Sequence, residues 1–365
     1  MSTKHPKKDD MVRVGLIGIR GQFAVQDLSQ KYSRSVDKTS HDLYTNLKNL
    51  RAADLNISTI EVPSLPLGPG ISLMLQTMLK NLSGYDILHN LELRPFFPLR
   101  KGHAVTLSTL HGLEFIFDPT RDADRSLRGA LRHSLLLPLS LESVRRSDYM
   151  IAVSSLVESD AVKWGYNKDR IFIVNDSISS KYIASPIVTR GKKRNKFVVG
   201  YLGTFRARKN VESAIRAFMR LNGSDYSFEI WGKRTFEYER LTRIASPDKR
   251  IVFMGPAPEE KIVQVYDGFD VFVFPTLYEG FGIPIIEAQS RGLPVIIFKR
   301  AKVAEEVRRY CIEAEDEEHM AQIIENLREN GYNEKQRKKA IEYARGFTPE
   351  RQAKETLAVY RKIVQ

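Results

Sequence analysis

Between Phe274 and Pro294 the chain reads Phe-Pro-Thr-Leu-Tyr-Glu-Gly-Phe-Gly-Ile-Pro-Ile-Ile-Glu-Ala-Gln-Ser-Arg-Gly-Leu-Pro, and this run holds the residues best suited to chemistry. A buried strand is expected to end at Phe274. Gly280 and Gly282 then permit tight backbone turns and close approach of a ligand. Pro284 suits the first turn of a helix, where its missing N–H costs nothing. A glycine loop that opens a helix offers backbone N–H groups to a phosphate. Glu279 stands just before the loop and Glu287 near the first turn of the helix. Carboxylates accept hydrogen bonds from vicinal hydroxyls, so this pair could hold a sugar and a ribose on either side of the phosphates. The plainer alternative is a glycine turn capping an ordinary βα unit, with both carboxylates solvated.

The run Glu279-Gly-Phe-Gly-Ile-Pro…Glu287 resembles the Glu-x7-Glu signature of glycosyltransferase family 4, from the strand-Pro-Thr entry to the Gly-Leu-Pro exit. That resemblance implies a retaining enzyme of GT-B architecture, with two Rossmann-like domains facing across a cleft. It also implies that Glu287 holds the donor ribose. Glu279 and the backbone of Gly280, Phe281, Gly282 and Ile283 would then contact the donor sugar and phosphate. The family usually places Gly-Arg-Leu-x-x-x-Lys-Gly on the diphosphate. Here Tyr201-Leu-Gly-Thr-Phe-Arg-Ala-Arg-Lys-Asn210 keeps Gly203 and Lys209, but has Thr204 for the arginine and Asn210 for the second glycine. Such cations meet the charge that a leaving nucleoside diphosphate gains as the glycosidic bond breaks. Arg206 is the expected replacement for the missing charge, with Arg208 the alternative. In the first half, Leu107-Ser-Thr-Leu-His111-Gly112 resembles the His-Gly of the family, whose imidazole faces the donor sugar; His89 reads as structural. Gly18 and Gly21, after the first strand, match the family's glycine-rich loop only loosely. Strand Ile251–Met254 with Gly255-Pro256 would form part of the wall around the nucleoside base.

The elements that must position these residues are short β-branched runs alternating with amphipathic stretches, the pattern of parallel sheets covered by helices. Strands are expected at Val12–Ile19, Ile57–Val62, Tyr85–His89, Ala104–Leu110, Tyr149–Val153 and Ile171–Val174. A second series follows at Phe197–Leu202, Phe228–Trp231, Ile251–Met254, Val271–Phe274 and Val295–Phe298. The basic, aperiodic segment Thr189–Lys196 is the expected linker. The division is therefore residues 1–190 for an acceptor domain, 191–348 for a donor domain, and 349–365 for a terminal helix packing back on the first domain. Sheets of this kind bind ligands beyond the carboxyl ends of their strands.

Composition narrows the partners. A 42% apolar share over 365 residues is globular, and no window offers the roughly 18 apolar residues of a membrane span. The polar N-terminus lacks the apolar core of a signal peptide, so the expected location is the cytoplasm. The single cysteine, Cys311, excludes an internal disulfide and reads as a small buried hydrophobe. No metal site is expected; Asp122-Ala-Asp124 has the spacing of one but falls in a loop away from the donor elements. The formal charge of +13 is spread over both halves and does not by itself select nucleic acid. Arg121, Arg125, Arg128 and Arg132 share one face of an expected helix. Near them Arg94-Pro-Phe-Phe-Pro-Leu-Arg-Lys101 sets two aromatics between cations. Together they suit an anionic membrane surface and a lipid-linked acceptor, against the alternative of a solvated basic face.

The expected reaction is transfer of a sugar, with retention, from a UDP- or GDP-linked donor to a glycan or lipid-linked acceptor, with no tightly bound cofactor. The competing readings are a sugar-nucleotide epimerase on the same fold and a noncatalytic basic scaffold.

Overall fold

A computed structural model describes residues 11–19, 35–50, 52–63, 69–113, 136–187 and 195–365. The described residues form two compact units. The first draws on Met1–Leu113, Ala123–Ser177 and Pro349–Gln365, and the second on Ile178–Thr348. The division falls at Ser177/Ile178, ahead of the basic segment 189–196, most of which lies outside the described residues.

The first unit is built on a six-stranded sheet ordered β2-β1-β3-β4-β5-β6. Its strands are β1 Val12–Ile19, β2 Leu55–Val62, β3 Ile87–Asn90, β4 Val105–Leu110, β5 Tyr149–Ala152 and β6 Ile171–Ile173. Every pairing is parallel. Parallel strands need crossover connections, and the helices that supply them cover both faces, so the inner strands are largely buried, with the polar groups of His89, Asn90, Thr106, Ser108 and Thr109 buried among apolar ones. On one face Val14, Leu16, Leu107 and Ile151 pack against Leu43 and Leu47 of helix Ser35–Asn49 and against Ala353, Leu357 and Tyr360 of helix Pro349–Ile363. On the other, Ile17, Ile60 and Leu88 meet Leu73 of helix Pro69–Leu79 and the ring of Phe96. Phe96 is therefore a core residue, whereas the sequence placed it beside Phe97 in a cationic surface loop. Leu99, three residues on, is the exposed apolar group of that loop.

The second unit repeats the architecture with the order β14-β12-β10-β7-β8-β9, again all parallel. It comprises β7 Phe197–Leu202, β8 Tyr226–Trp231, β9 Ile251–Gly255, β10 Val271–Val273, β12 Val295–Phe298 and β14 Ile312–Ala314. A separate two-stranded ladder joins β11 Tyr278–Glu279 to β13 Lys302–Val303. Because β10 lies beside β7, the loops leaving their carboxyl ends are neighbours, and these loops are residues 274–282 and 203–210. Where β8 ends, the backbone is pressed against the 203–210 loop. A Cβ on Gly232 would sit 2.1 Å from the Gly203 carbonyl oxygen, so only glycine fits. The strand order reverses between β1 and β3 in the first sheet and at the centre of the second, between β10 and β7, and open α/β sheets bind ligands at such points.

Candidate active site

The loop after β10 is held from both sides. β11 pairs with β13, the Leu277 N–H donates to the Arg208 carbonyl (2.8 Å), and the Asn210 amide donates to the Pro275 carbonyl (3.2 Å). Gly282 adopts φ +106°, a conformation L side chains rarely take, and hands the chain to helix Ile283–Ser290 with Pro284 in its first turn. The first N–H groups of a helix have no acceptor within it, and the dipole there favours negative charge. The Phe281 ring turns away to pack against Phe347 at 5.5 Å, which leaves backbone, not side chain, as this residue's polar contribution to the loop.

Glu279 is buried among cations. Its carboxylate accepts from Lys209 Nζ, from Arg208 Nη1 at 2.8 Å and from Thr276 Oγ1 at 3.0 Å. Burial alone would raise its pKa; the Lys209 and Arg208 charges and the hydrogen bonds outweigh burial and hold it below the usual carboxylate value. Lys209 is itself only 7% exposed and stands over the Phe274 ring at 4.8 Å. Burial leaves little water to screen these charges from one another. Arg208 also donates to the Tyr278 carbonyl at 3.0 Å. Arg206 stands at the entry to the short turn Ala207–Lys209, and Thr204 is exposed. Asn210 has φ +50° and is the one non-glycine residue at positive φ among the described residues. Asparagine tolerates that region, which explains how it stands where the family motif has glycine.

Glu287 lies on the same helix as Pro284, and the Tyr266 hydroxyl donates to its Oε2 at 2.8 Å. One turn further, Arg291 is fully buried. It binds Asp267 through Nε (2.8 Å) and Nη2 (3.0 Å), and it donates to the carbonyls of Tyr182, Ser185 and Pro186. Adjacent residues 266 and 267 thus grip positions 287 and 291, which share one helix face. Gly292, at φ +71°, then turns the chain toward β12.

In the first unit, Gly18 lies within β1 opposite Glu61 of β2, and Gly21 is outside the described residues. His111 follows β4. Its Nδ1 is 3.1 Å from Asp176 Oδ2 and its Nε2 is 3.2 Å from the Leu91 carbonyl. A carboxylate and a carbonyl only accept, so this pair of partners favours the protonated ring. Burial would lower its pKa, but the Asp176 charge and both hydrogen bonds raise it. Asp176 is steadied in turn by Gln352 Nε2 at 3.3 Å, and Ser177 donates to Gln352 Oε1 at 2.8 Å. His89 is the opposite case. It is fully buried between Tyr360 Oη (2.7 Å) and Thr109 Oγ1 (2.8 Å), and burial, helped by the His111 charge, pushes its pKa down to about 3.

Among the described residues no three His, Cys, Asp or Glu side chains gather as a metal ion would require, and Asp122 and Asp124 lie outside them. No described helix is long and apolar enough to cross a membrane.

Residues 187–347, which contain the whole Glu279–Lys209–Glu287 arrangement, match the protein family described as glycosyl transferases group 1. These residues form a domain of the group 1 glycosyltransferases. Its sequence is similar to O-antigen chain mannosyltransferase B of Escherichia coli, 25% identical over 285 residues that cover 73% of this chain and 72% of that protein. Its fold is that of a glycosyltransferase from Rickettsia africae ESF-5, with a TM-score of 0.67 at 17% identity over 98% of this chain and 99% of that one. The Anabaena protein HepE, solved with UDP and glucose, shares the fold at a TM-score of 0.63 and 14% identity over 95% and 99% of the two chains.

Within this glycosyltransferase the structure brings Glu279, Lys209 and the glycine loop together in the second unit, with Arg208 as the arginine that reaches Glu279. Sequence reasoning singled out neither Tyr266, Arg291 and Asp267 nor Asp176 and Gln352. A buried arginine directly before a glycine turn was the available signal for Arg291. The other four carry no motif, since their partners lie 21 to 176 residues away.

Proposed function

We propose that this glycosyltransferase takes its sugar from a nucleoside-diphosphate donor and delivers it, with retention and without a bound metal ion, to a hydroxyl of a glycan or lipid-linked acceptor. The observation that carries this reading is the Lys209–Arg208–Glu279 cluster. The buried Glu279 carboxylate fixes two cations in place beside a glycine loop that opens a helix. Such a place stabilises a diphosphate most when the C1–O bond breaks and its electron pair moves onto the β-phosphate oxygen. The acceptor oxygen forms its bond to C1 on the face the diphosphate leaves, and its proton passes to that departing oxygen. Lys209 and Arg208 supply the charge that a metal ion supplies in other transferases. Glu287, on the same helix, would take the ribose hydroxyls, and Glu279, with the backbone of Gly280, Phe281, Gly282 and Ile283, would contact the donor sugar and phosphate. Gly203 and Thr204 line the same turn. The Asp176 carboxylate favours the charged form of His111, which suits that residue to contribute positive charge.

The resemblance to an O-antigen mannosyltransferase favours a cell-surface polysaccharide as the acceptor. HepE holds UDP, and UDP- and GDP-sugars are the donors to try first. Contact with the cytoplasmic face of a membrane is supported by the first unit. There Leu79 is 76% and Leu99 69% exposed, and the Leu82 N–H bonds the Arg100 carbonyl, so both leucines sit near Lys80, Arg100 and Lys101. The arginines at 121, 125, 128 and 132 lie outside the described residues.

Thermal unfolding with a panel of nucleoside diphosphates and their sugars tests the donor reading. A ligand bound only by the native state raises the midpoint, by about 2.7 kcal/mol of apparent stability at a hundred times its Kd. One base should stabilise and the others should not. A flat response to every UDP- and GDP-linked compound would overturn it.

A further inference from the structure

We propose that Tyr266 is a positioning residue for donor binding: its hydroxyl fixes the Glu287 carboxylate in the orientation that receives the ribose hydroxyls. This rests on the reading of Glu287 given above and deepens it.

Tyr266 lies on helix Ile262–Gly268 and is fully buried. Its ring is held edge-on by Phe272 of β10 at 5.4 Å, by Tyr182 at 5.9 Å and by Phe269 at 6.2 Å. Rings at such distances fix the side chain in one orientation, so the place of its oxygen is set by the core of the sheet. Burial, followed by the nearby Glu287 charge, raises the phenol pKa far above its usual value, so the group stays protonated and donates. The acceptor is Glu287 Oε2 at 2.8 Å. The next residue, Asp267, binds Arg291 one helical turn beyond Glu287. Two neighbouring side chains therefore fix the helix and, separately, the carboxylate it carries. A flexible carboxylate would lose rotamer freedom on meeting a ribose diol; one already held by a phenol has lost much of it beforehand. An ionised carboxylate offers about four acceptor positions, and Tyr266 occupies one of them.

The experiment compares binding of UDP and GDP with that of their 2′,3′-dideoxy forms by calorimetry. The proteins are the full-length chain, Tyr266→Phe, Glu287→Gln and the double variant. Tyr266→Phe should weaken the ribonucleotide that binds by about three- to tenfold, the scale of one hydrogen bond. It should leave the dideoxynucleotide unchanged, because that ligand makes no use of the carboxylate. The double variant should bind like Glu287→Gln alone. It also removes the charge that Tyr266→Phe leaves without its phenol, so it keeps the question open to test if the single variant fails to fold. Unaltered ribonucleotide binding by Tyr266→Phe, an equal loss on both ligand types, or a further loss in the double variant would each overturn the positioning role. Undiminished binding by Glu287→Gln, or no binding of UDP or GDP by the unaltered chain, would instead overturn the donor reading beneath it.

Discussion

Lys209 and Glu287 are expected to fail in different ways when removed. On the proposed reading Lys209 would face a charge that grows as the diphosphate leaves, so Lys209→Ala should lower kcat by roughly 10²–10³ while raising the donor Kd much less. Glu287 would hold the ribose equally in the ground and transition states, so Glu287→Ala should weaken donor binding by about 1.5–3 kcal/mol with a smaller change in kcat. Steady-state kinetics together with donor titration separate the two, and equal effects on kcat and Kd in both variants would contradict the assignment. His89 gives a prediction about stability. An unfolded chain protonates this ring near pH 6.5, whereas the folded chain does so only near about 3. Between those values the unfolded state binds the extra proton, so stability falls as pH falls. His111, raised in the folded chain, contributes stability that is fully present below 6.5 and is lost only as pH rises through its folded value. Glu279, lowered in the folded chain, loses its contribution only below about 4.5. The slope between pH 6.5 and 5 therefore belongs largely to His89, on the order of 1 kcal/mol per pH unit. Denaturant midpoints of His89→Gln should flatten there; a slope equal to that of the unaltered protein would refute the burial account.

At the scale of elements, the helix that opens at Ile283 depends on the left-handed conformation of Gly282. A Cβ there would meet Ile285 and Val307 at 3.3 Å as well as the backbone strain, so Gly282→Ala should destabilise the protein by about 1–3 kcal/mol and weaken donor binding. A variant as stable as the parent would show that this turn is unstrained. Most elements were legible in the sequence because parallel strands buried on both faces read as unbroken apolar runs, as β10 and β12 do. β14 escaped notice because Ile312–Ala314 is three residues long with a glutamate at its centre, and β11 and β13 are two residues each. The glycine loop and its two glutamates were readable because backbone chemistry fixes their spacing locally. Tyr266 was not, because only the packing of helix Ile262–Gly268 brings its hydroxyl to Glu287. The same holds for Arg208: counting along the turn favours Arg206, whereas the contact with Glu279 depends on β7 and β10 being neighbours.

For the whole molecule, the charge of +13 and the exposed leucines of the first unit predict salt-sensitive flotation with anionic liposomes, lost when Leu79 and Leu99 become serine. Flotation that is absent at low salt would leave a soluble acceptor. Chelation of divalent ions should leave turnover intact if Lys209 and Arg208 neutralise the diphosphate; a loss restored by added Mg²⁺ or Mn²⁺ would show that they do not. The central claim is that the second unit breaks a nucleoside-diphosphate sugar at the Lys209–Glu279–Glu287 site. Its most direct test is release of free nucleoside diphosphate from UDP- and GDP-sugars, with the unaltered chain and Lys209→Ala measured side by side. The account predicts steady release of one diphosphate by the unaltered chain and a fall of about a hundredfold or more in the folded variant. Release from none of the donors, or equal release by both proteins, would contradict it.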